Sequence, residues 1–301
     1  MAEGHSTKVV LTSLAGNVAI TIAKFAAAYI THSGSMMAEA IHTSSDCLNQ
    51  ILLLVGLRQA QVGASEKHPL GTGRASYFWS FLVALLLFFG GGVFSASEGV
   101  EKILHPEQVH HLLVGFAVLG ISLVIETASL VQCLNAIHAK RGALKVMDYL
   151  RVTKDAELVV CTGENFAAVV GLGVAFTSMA LAHWVDPRFD GLGSVLVGVV
   201  LVWVASFLAR KVKSLLLGES ADPEVEAHVR AAASEDKRII EVLRVIAVQQ
   251  GPGEVMIAAK LHIEDAITAA DVVEVINNFE KRVRARLPDV KWQFIEPDLA
   301  A

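Results

Sequence analysis

The sequence predicts a membrane-embedded bundle of six transmembrane helices, followed by a small C-terminal α+β domain. Of the 301 residues, 53% are hydrophobic and only 18% are charged, with a mean hydropathy of +0.52. Soluble globular domains are less apolar and carry more charge than this. The apolar runs stop at about Gly218, and charged residues become dense beyond it. We therefore predict a membrane domain over residues 1–218 and a water-soluble domain over residues 219–301.

Six apolar stretches are long enough to cross a bilayer, since a hydrocarbon core of about 30 Å needs about 20 apolar residues per helix. They cover residues 8–32, 35–58, 77–101, 110–138, 156–184 and 189–213. No basic leader with a small-residue cleavage site precedes the first stretch, so we expect it to be kept as a span.

Basic residues concentrate in alternate connections between these stretches, and cytoplasmic loops carry such an excess. The connections after the second and fourth stretches contain Arg58, Lys67, Arg74, Lys140, Arg141, Lys145, Arg151 and Lys154. The connections on the opposite side contain few basic residues, mainly Lys102 and Arg188. This asymmetry predicts that both termini are cytoplasmic.

The C-terminal residues have the pattern of helix, strand, strand, helix, strand. Asp222 followed by Pro223 begins the first helix, and Thr268 caps a second helix that runs to about Leu287. The three strands are predicted over residues 241–248, 254–263 and 290–295. The first two are separated by a Gly-Pro-Gly turn. An α+β domain with its helices on one face of the sheet follows from this order.

Several functional classes are excluded by what the sequence lacks. Cys47, Cys133 and Cys161 have no paired spacing, which argues against a disulfide framework or a CxxC metal site. No basic cluster with interleaved aromatic residues suggests nucleic acid. The stretch from Gly71 to Gly73 lacks the surrounding pattern of a phosphate-binding loop, so we expect ion gradients and not ATP to drive any transport.

Ionisable side chains within the apolar stretches are the candidates for function, because they are costly inside a membrane. The second stretch has Glu39, His42 and Asp46, the fourth has Glu126, and the fifth has Glu164 beside Asn165. Asn17, Lys24, Asn49 and Gln50 are also polar residues in apolar stretches, and we expect them to form interhelical hydrogen bonds. Glu126 could equally assist proton transfer or pair with a neighbouring helix.

His42 and Asp46 stand four residues apart, which places both on one face of a helix, one turn from each other. An imidazole and a carboxylate in this arrangement can share one metal ion, or they can form a hydrogen bond between helices. Glu164 supplies an acidic group from a second span. Nitrogen and oxygen ligands of this kind suit Zn²⁺, or Mn²⁺ and Fe²⁺ with more oxygen.

Four sequence motifs are distributed over nearly the whole chain. They are residues 35–50, SMMAEAIHTSSDCLNQ; residues 68–74, HPLGTGR, followed by YFW; Glu98-Gly99; and residues 217–220, LGES. Together they resemble motifs of the cation diffusion facilitator family, most closely its zinc transporter nine-like branch. Residues 35–50 are similar to the second-span motif of this family, and residues 68–74 resemble its second-to-third loop.

This resemblance implies a transporter and not an enzyme, with a divalent cation and protons as substrates and no prosthetic group. Zn²⁺ is the first choice of metal, and Mn²⁺ or Fe²⁺ are alternatives. The expected mechanism is efflux of the metal from the cytoplasm by metal/proton antiport, because an imidazole ligand can bind either a proton or a metal ion near neutral pH. The resemblance also implies a homodimer whose ferredoxin-like cytosolic domains associate.

Members of the family bind the transported ion with two residues of the second span and two of the fifth, each pair four residues apart. His42 and Asp46 match the first pair, and alignment of the fifth span puts Cys161 and Asn165 at the second. Because the amide of Asn165 replaces the usual carboxylate, three alternatives are open: Glu164 serves instead, Cys161 contributes a thiolate, or the site is weakened. We rank Glu164 first, because a carboxylate at that depth needs a partner.

The resemblance predicts no strong metal site elsewhere. His68 matches one ligand of a loop site, but Thr72 stands where a second histidine is expected. In the C-terminal domain, His262 matches a family ligand position, whereas Phe294 and Ile295 replace others. A rival function remains: a membrane-embedded metal sensor or scaffold whose impaired site binds metal without releasing it in a cycle.

Overall fold

The computed structural model describes residues 2–108 and 111–299, with side chains from Asn17 onward. Met1, Val109, His110, Ala300 and Ala301 lie outside the described residues, and with them the predicted start of the fourth span and the two chain ends. Backbone structure before Asn17 is helical from Ala2.

Long helices occupy all six predicted stretches. They are α1 (Ala2–Thr31), α2 (Gly34–Ala60), a third stretch made of α3 (Ala75–Leu86), a π-helical segment (Leu87–Val93) and α4 (Phe94–Leu104), then α5 (Leu112–Lys140), α7 (Ala156–Trp184) and α8 (Arg188–Leu217). Within the described residues, four helical stretches are long and apolar enough to cross a membrane: Ala75–Leu104, Leu112–Lys140, Ala156–Trp184 and Arg188–Leu217. In α1, the apolar helical part among these residues is Asn17–Thr31. Transmembrane status of α1 and α2 therefore stays a prediction.

The third stretch is interrupted by the π-helical segment, which is not among the elements predicted from the sequence. Three consecutive glycines, 90–92, lie within it, and glycine weakens the preference for regular α-helix. Close approach to α8 explains another glycine: a Cβ atom on Gly99 would lie 2.6 Å from the carbonyl oxygen of Gly191. Small residues let these two helices pack at backbone distance.

A short helix, α6 (Val146–Val152), lies between α5 and α7 and is also absent from the predictions. The connection around it is rich in Lys and Arg, and such a basic connection between two apolar stretches predicts a loop. An ion pair joins the ends of the flanking helices, with Lys140 Nζ 2.9 Å from Asp155 Oδ2.

The C-terminal residues form the predicted order of elements. These are α9 (Pro223–Ala233), β1 (Ile239–Gly251), β2 (Glu254–Ile263), α10 (Ala269–Arg286) and β3 (Val290–Pro297). The sheet has the order β1-β2-β3, with β1 and β2 antiparallel and β2 and β3 parallel. Thr268 and Asp271 form a capping box at the start of α10, which satisfies backbone N–H groups that the helix leaves free.

One face of this sheet forms a hydrophobic core with the two helices. Alternate residues of β2 are buried, as expected for a strand with one covered face. Val229 of α9 and Phe279 of α10 pack in the same cluster. On the other face, Phe294 and Ile246 are exposed.

The chain divides into two compact units. The first comprises the residues up to Gly56 and Trp79–Val212, and the second comprises Leu57–Phe78 and the residues from Lys213 onward. Close packing at Gly73 explains part of the second unit, which combines two segments that are distant in sequence. A Cβ atom on Gly73 would lie 3.1 Å from the Cα atom of Gly251. Neither hydropathy nor charge in the sequence indicates this association.

Candidate functional site

A row of polar side chains follows one face of α2. His42 is fully buried, and its Nδ1 atom lies 3.7 Å from Asp46 Oδ1. That distance is too long for a hydrogen bond. Both ring nitrogens of His42 and the Oδ1 atom of Asp46 are buried without a hydrogen-bond partner in the described part of the chain. The two residues lie together as predicted, with their ligand atoms uncommitted.

Uncommitted buried polar atoms are costly, because desolvation is not repaid by a hydrogen bond. Asn49 Oδ1 and Gln50 Oε1, one turn further along α2, are in the same condition. A bound cation would satisfy the imidazole nitrogen and the carboxylate oxygen together. The donor set of this face therefore fits a divalent metal ion with mixed nitrogen and oxygen coordination.

Glu164 of α7 faces this row. Asn49 Nδ2 donates a short hydrogen bond to Glu164 Oε1, so the carboxylate lies beside α2 three residues beyond Asp46. This contact also confirms the expected interhelical hydrogen bond of Asn49. Glu126 of α5 lies close enough to add its negative charge to the surroundings of both Asp46 and Glu164.

Cys161 and Asn165 of α7 contact α5. Asn165 Nδ2 donates to the carbonyl oxygen of Cys161 at 2.8 Å. It also lies 3.4 Å from Cys161 Sγ and 3.6 Å from Cys133 Sγ. The two sulfur atoms are 2.8 Å apart, and both cysteines are free. Sequence reasoning misses Cys133, because no local spacing links it to a residue 28 positions away.

The five predicted ligands therefore fall into two groups. His42 and Asp46 are joined by Glu164, through Asn49, whereas Cys161 and Asn165 are grouped with Cys133. Among residues 2–108 and 111–299, no three His, Cys, Asp or Glu side chains converge closely enough to hold a metal ion. A cation at His42 and Asp46 would need Glu164 to approach, or water to complete its coordination.

Lys24 of α1 lies against the same helix. Its ammonium donates to Thr43 Oγ1 at 2.7 Å and to Glu39 Oε2 at 3.3 Å, and both Lys24 and Glu39 are fully buried. The interhelical hydrogen bond expected of Lys24 is confirmed. The ion pair with Glu39 is not predicted from the sequence.

Asp190 of α8 binds the beginning of α2. Its Oδ1 atom accepts hydrogen bonds of 2.6 Å from the hydroxyls of Ser33 and Ser35, and its Oδ2 atom accepts one from the backbone N–H of Gly34. Asp190 thus acts as a helix N-cap supplied by another helix, where a carboxylate also favours the helix dipole. The sequence marks it only as an acidic residue near the start of the last apolar stretch.

The other candidate ligands are dispersed. His68 is exposed. The hydroxyl of Thr72, where a second histidine was considered, donates to the carbonyl oxygen of Val62 at 2.9 Å. His262 Nε2 lies 3.8 Å from Asp265 Oδ1, and Phe294 is exposed on the sheet.

A family model described as the cation efflux transmembrane domain matches residues 10–217. The chain belongs to the cation efflux family. It is thus an integral membrane protein of a transporter family and not an enzyme. The resemblance to the cation diffusion facilitators, and to the zinc transporter nine-like branch within them, is confirmed.

Three relatives illustrate the range of this similarity. The human proton-coupled zinc antiporter SLC30A9, mitochondrial, is 31% identical over 270 residues, which cover 89% of this chain and 48% of the relative. Metal tolerance protein C4 of Arabidopsis thaliana is 27% identical over 285 residues, 93% of this chain and 60% of the relative. The manganese efflux system protein MneP of Bacillus subtilis is 19% identical over 289 residues, 96% and 94% of the two chains. The chain spans about half the length of the human relative.

Proposed function

We propose that this protein carries a divalent cation across a membrane by exchange for protons, with Zn²⁺ as the preferred ion. The observation that carries this proposal is the face of α2 on which His42 and Asp46 present buried ligand atoms with no hydrogen-bond partner within the described residues. Glu164 faces the same helix and supplies a further carboxylate. Such atoms suit a transport site, because a cation can bind them without first displacing an internal partner.

The names of the relatives support the same class of activity. SLC30A9 is named as a proton-coupled zinc antiporter and MneP as a manganese efflux protein. Between these metals, the imidazole of His42 favours Zn²⁺, since Mn²⁺ prefers sites made of oxygen. Mn²⁺ and Fe²⁺ are the alternatives that the carboxylates of Asp46 and Glu164 allow.

The residues suggest how binding and release are coupled. His42 and Asp46 bind the ion first, because they already lie side by side. Glu164 then leaves the amide of Asn49 and approaches from α7, which draws α2 and α7 together. A proton that binds His42 competes with the metal for the same nitrogen lone pair, so protonation from the far side promotes release.

The arrangement in the membrane is part of this proposal. We propose that α1, α2, the Ala75–Leu104 stretch, α5, α7 and α8 all span the bilayer, with residues 1–218 as the membrane domain. Basic residues in the connections after α2 and α5 support a cytoplasmic location for both termini. Protease added to oriented vesicles is expected to digest the C-terminal domain from the cytoplasmic side only. Digestion from the opposite side would contradict the proposed orientation, and with it the proposed direction of transport.

We further propose that residues 219–301 form a ferredoxin-like domain that dimerises without metal. Exposed Phe294 and Ile246 on the uncovered face of the sheet support association through apolar surface. The isolated domain is expected to sediment as a dimer in the presence of a chelator. A dimer that forms only after addition of zinc would restore the ligand role of His262.

The deciding experiment measures flux. Purified protein in proteoliposomes with an internal zinc indicator is expected to transport Zn²⁺, and an opposing pH gradient is expected to accelerate it. Dissipation of the gradient with a proton carrier should remove the acceleration. Zn²⁺ uptake that is independent of pH would contradict antiport, and no uptake of Zn²⁺, Mn²⁺ or Fe²⁺ would contradict transport.

One observation favours a second function, a metal sensor or scaffold. Asn165 stands where a carboxylate is expected, and its amide is bonded to Cys161. A chain with this half-site impaired would bind metal at His42 and Asp46 without releasing it in a cycle. Equilibrium binding of Zn²⁺ together with absent flux would support this function against the first.

A further inference from the structure

The ammonium group of Lys24 occupies a position that oxygen atoms surround. Nζ lies 2.7 Å from the hydroxyl of Thr43 and 3.3 Å from one carboxylate oxygen of Glu39. Both charged side chains are completely buried. An ammonium at this depth is stable only where such partners replace water, so the position itself is one that binds a cation.

The carboxylate of Glu39 retains unused binding capacity. Its Oε1 atom is buried without a hydrogen-bond partner in the described residues. The same atom lies directly against Gly171 of α7, where a Cβ atom would collide with it. Glu39 is therefore enclosed by α7 on one side and by Lys24 of α1 on the other, with one oxygen committed and one free.

Glu39 and Thr43 belong to the part of α2 that presents the candidate transport ligands. Glu39 precedes His42 by three residues and Thr43 follows it directly, so the position occupied by Nζ lies about one helical turn from His42 and Asp46. Carboxylate and hydroxyl oxygens are ligands for hard divalent ions such as Mn²⁺. Two cation positions thus follow each other along α2, and one of them contains a side chain of the protein.

We infer that Lys24 is a tethered cation, which fills a second cation-binding position made by Glu39 and Thr43. This inference rests on the proposed function, because it takes His42 and Asp46 as the ligands of the transported ion. With its ammonium in place, the face of α2 accepts one divalent ion. Without it, Glu39 and Thr43 bind a second ion from solution.

The charges around Lys24 set the expected direction of each change. Its positive charge acts on Glu39, Asp46 and Glu126. Loss of the ammonium leaves these carboxylates less compensated and strengthens their attraction for added cations. Loss of the Glu39 carboxylate has the opposite effect, because the ammonium then repels an ion bound one turn away.

Binding stoichiometry tests the inference. The full chain, purified in detergent, is titrated with Mn²⁺ under equilibrium dialysis for the unchanged protein, Lys24→Met, and Lys24→Met combined with Glu39→Gln. We expect one Mn²⁺ per chain, two, and one, respectively. A Lys24→Met protein that binds one ion with unchanged affinity would overturn the inference, as would a double variant that still binds two.

A second variant covers the case in which Lys24→Met does not fold. Glu39→Gln keeps the shape of the side chain and the ammonium of Lys24. It is expected to weaken binding of Mn²⁺ at His42 and Asp46 at least tenfold. Unchanged affinity would contradict a tethered charge. Flux of the unchanged protein in proteoliposomes is measured separately, so a failure of transport and a failure of this inference are distinguishable.

Discussion

Two groups of side chains on α7 differ in what they offer to a cation. Glu164 contacts Asn49 of α2, the helix on which His42 and Asp46 have buried ligand atoms without a hydrogen-bond partner among the described residues. Cys161 and Asn165 contact Cys133 of α5. There the amide of Asn165 is already bonded to a backbone carbonyl, and the two thiols contact each other.

The position of a residue in the family motif therefore does not by itself show that its side chain is free to bind a cation. Alignment with the family points to Cys161 and Asn165, yet these groups satisfy each other in the absence of metal. Glu164 is held by one exchangeable hydrogen bond from Asn49. A site that binds and releases an ion in each cycle needs ligands whose hydrogen bonds within the protein are easily exchanged. By this criterion the geometry favours Glu164 over Cys161 and Asn165.

The largest effect is expected on the α2 side. Asp46→Ala removes an anionic ligand adjacent to His42, and we expect metal-dependent flux in proteoliposomes to fall at least 100-fold. Asp148→Ala on α6 is the matched control, because that carboxylate is 52% exposed and pairs only loosely with Arg151. Flux that survives Asp46→Ala would remove α2 from the site.

The comparison of Glu164 with the group of Cys161 and Asn165 is tested directly by a pair of alanine variants. Glu164→Ala is expected to reduce flux more than tenfold, because it removes the carboxylate that faces α2. Cys161→Ala is expected to retain flux within a factor of two. The reverse result, normal flux in Glu164→Ala with binding lost in Cys161→Ala, would assign the second half of the site to the thiol.

A new carboxylate beside Cys161 and Cys133 should have a smaller effect of opposite sign. Asn165→Asp introduces an anionic oxygen beside two thiols, and we expect zinc affinity to rise about tenfold, which corresponds to about 1.4 kcal/mol. Tighter binding is expected to slow release and lower the maximal flux. Asn165→Ala is the control, and equal affinity in both variants would show that this position is not accessible to the ion.

The smallest effect is expected at the cysteine on α5. Cys133→Ser keeps a small polar side chain next to Cys161 and Asn165, and we expect both flux and zinc affinity to change less than twofold. A clear loss of zinc affinity in Cys133→Ser would mean that the group of Cys133, Cys161 and Asn165 binds the ion and that the comparison above is wrong.

Local sequence patterns predicted the elements better than the contacts between them. The fifth stretch, residues 156–184, coincides with α7, and the order of elements after Ser220 is as expected. Hydrophobic periodicity and capping residues depend on neighbours within a few helical turns, so both can be recognised in the sequence. The π-helical segment and α6 were missed, because a glycine triplet and a basic connection have no pattern that specifies one conformation.

The candidate site was predictable to the extent that it lies on one helix. The spacing of His42 and Asp46 fixes their common face, since both belong to α2. Contacts between helices, such as Glu164 with Asn49 or Cys133 with Cys161, depend on rotation of one helix against another. Side chains that are far apart in sequence contain no local signal for that rotation.

The N-cap that Asp190 supplies to α2 also constrains the order in which the membrane domain is completed. Gly34 and Ser35 begin the second helix, but their carboxylate partner is synthesised more than 150 residues later. Until α8 is made, the first turn of α2 lacks this acceptor, and a buried unsatisfied N–H costs about 1–3 kcal/mol. The start of the helix that carries His42 and Asp46 therefore obtains this acceptor only after α8 has been synthesised.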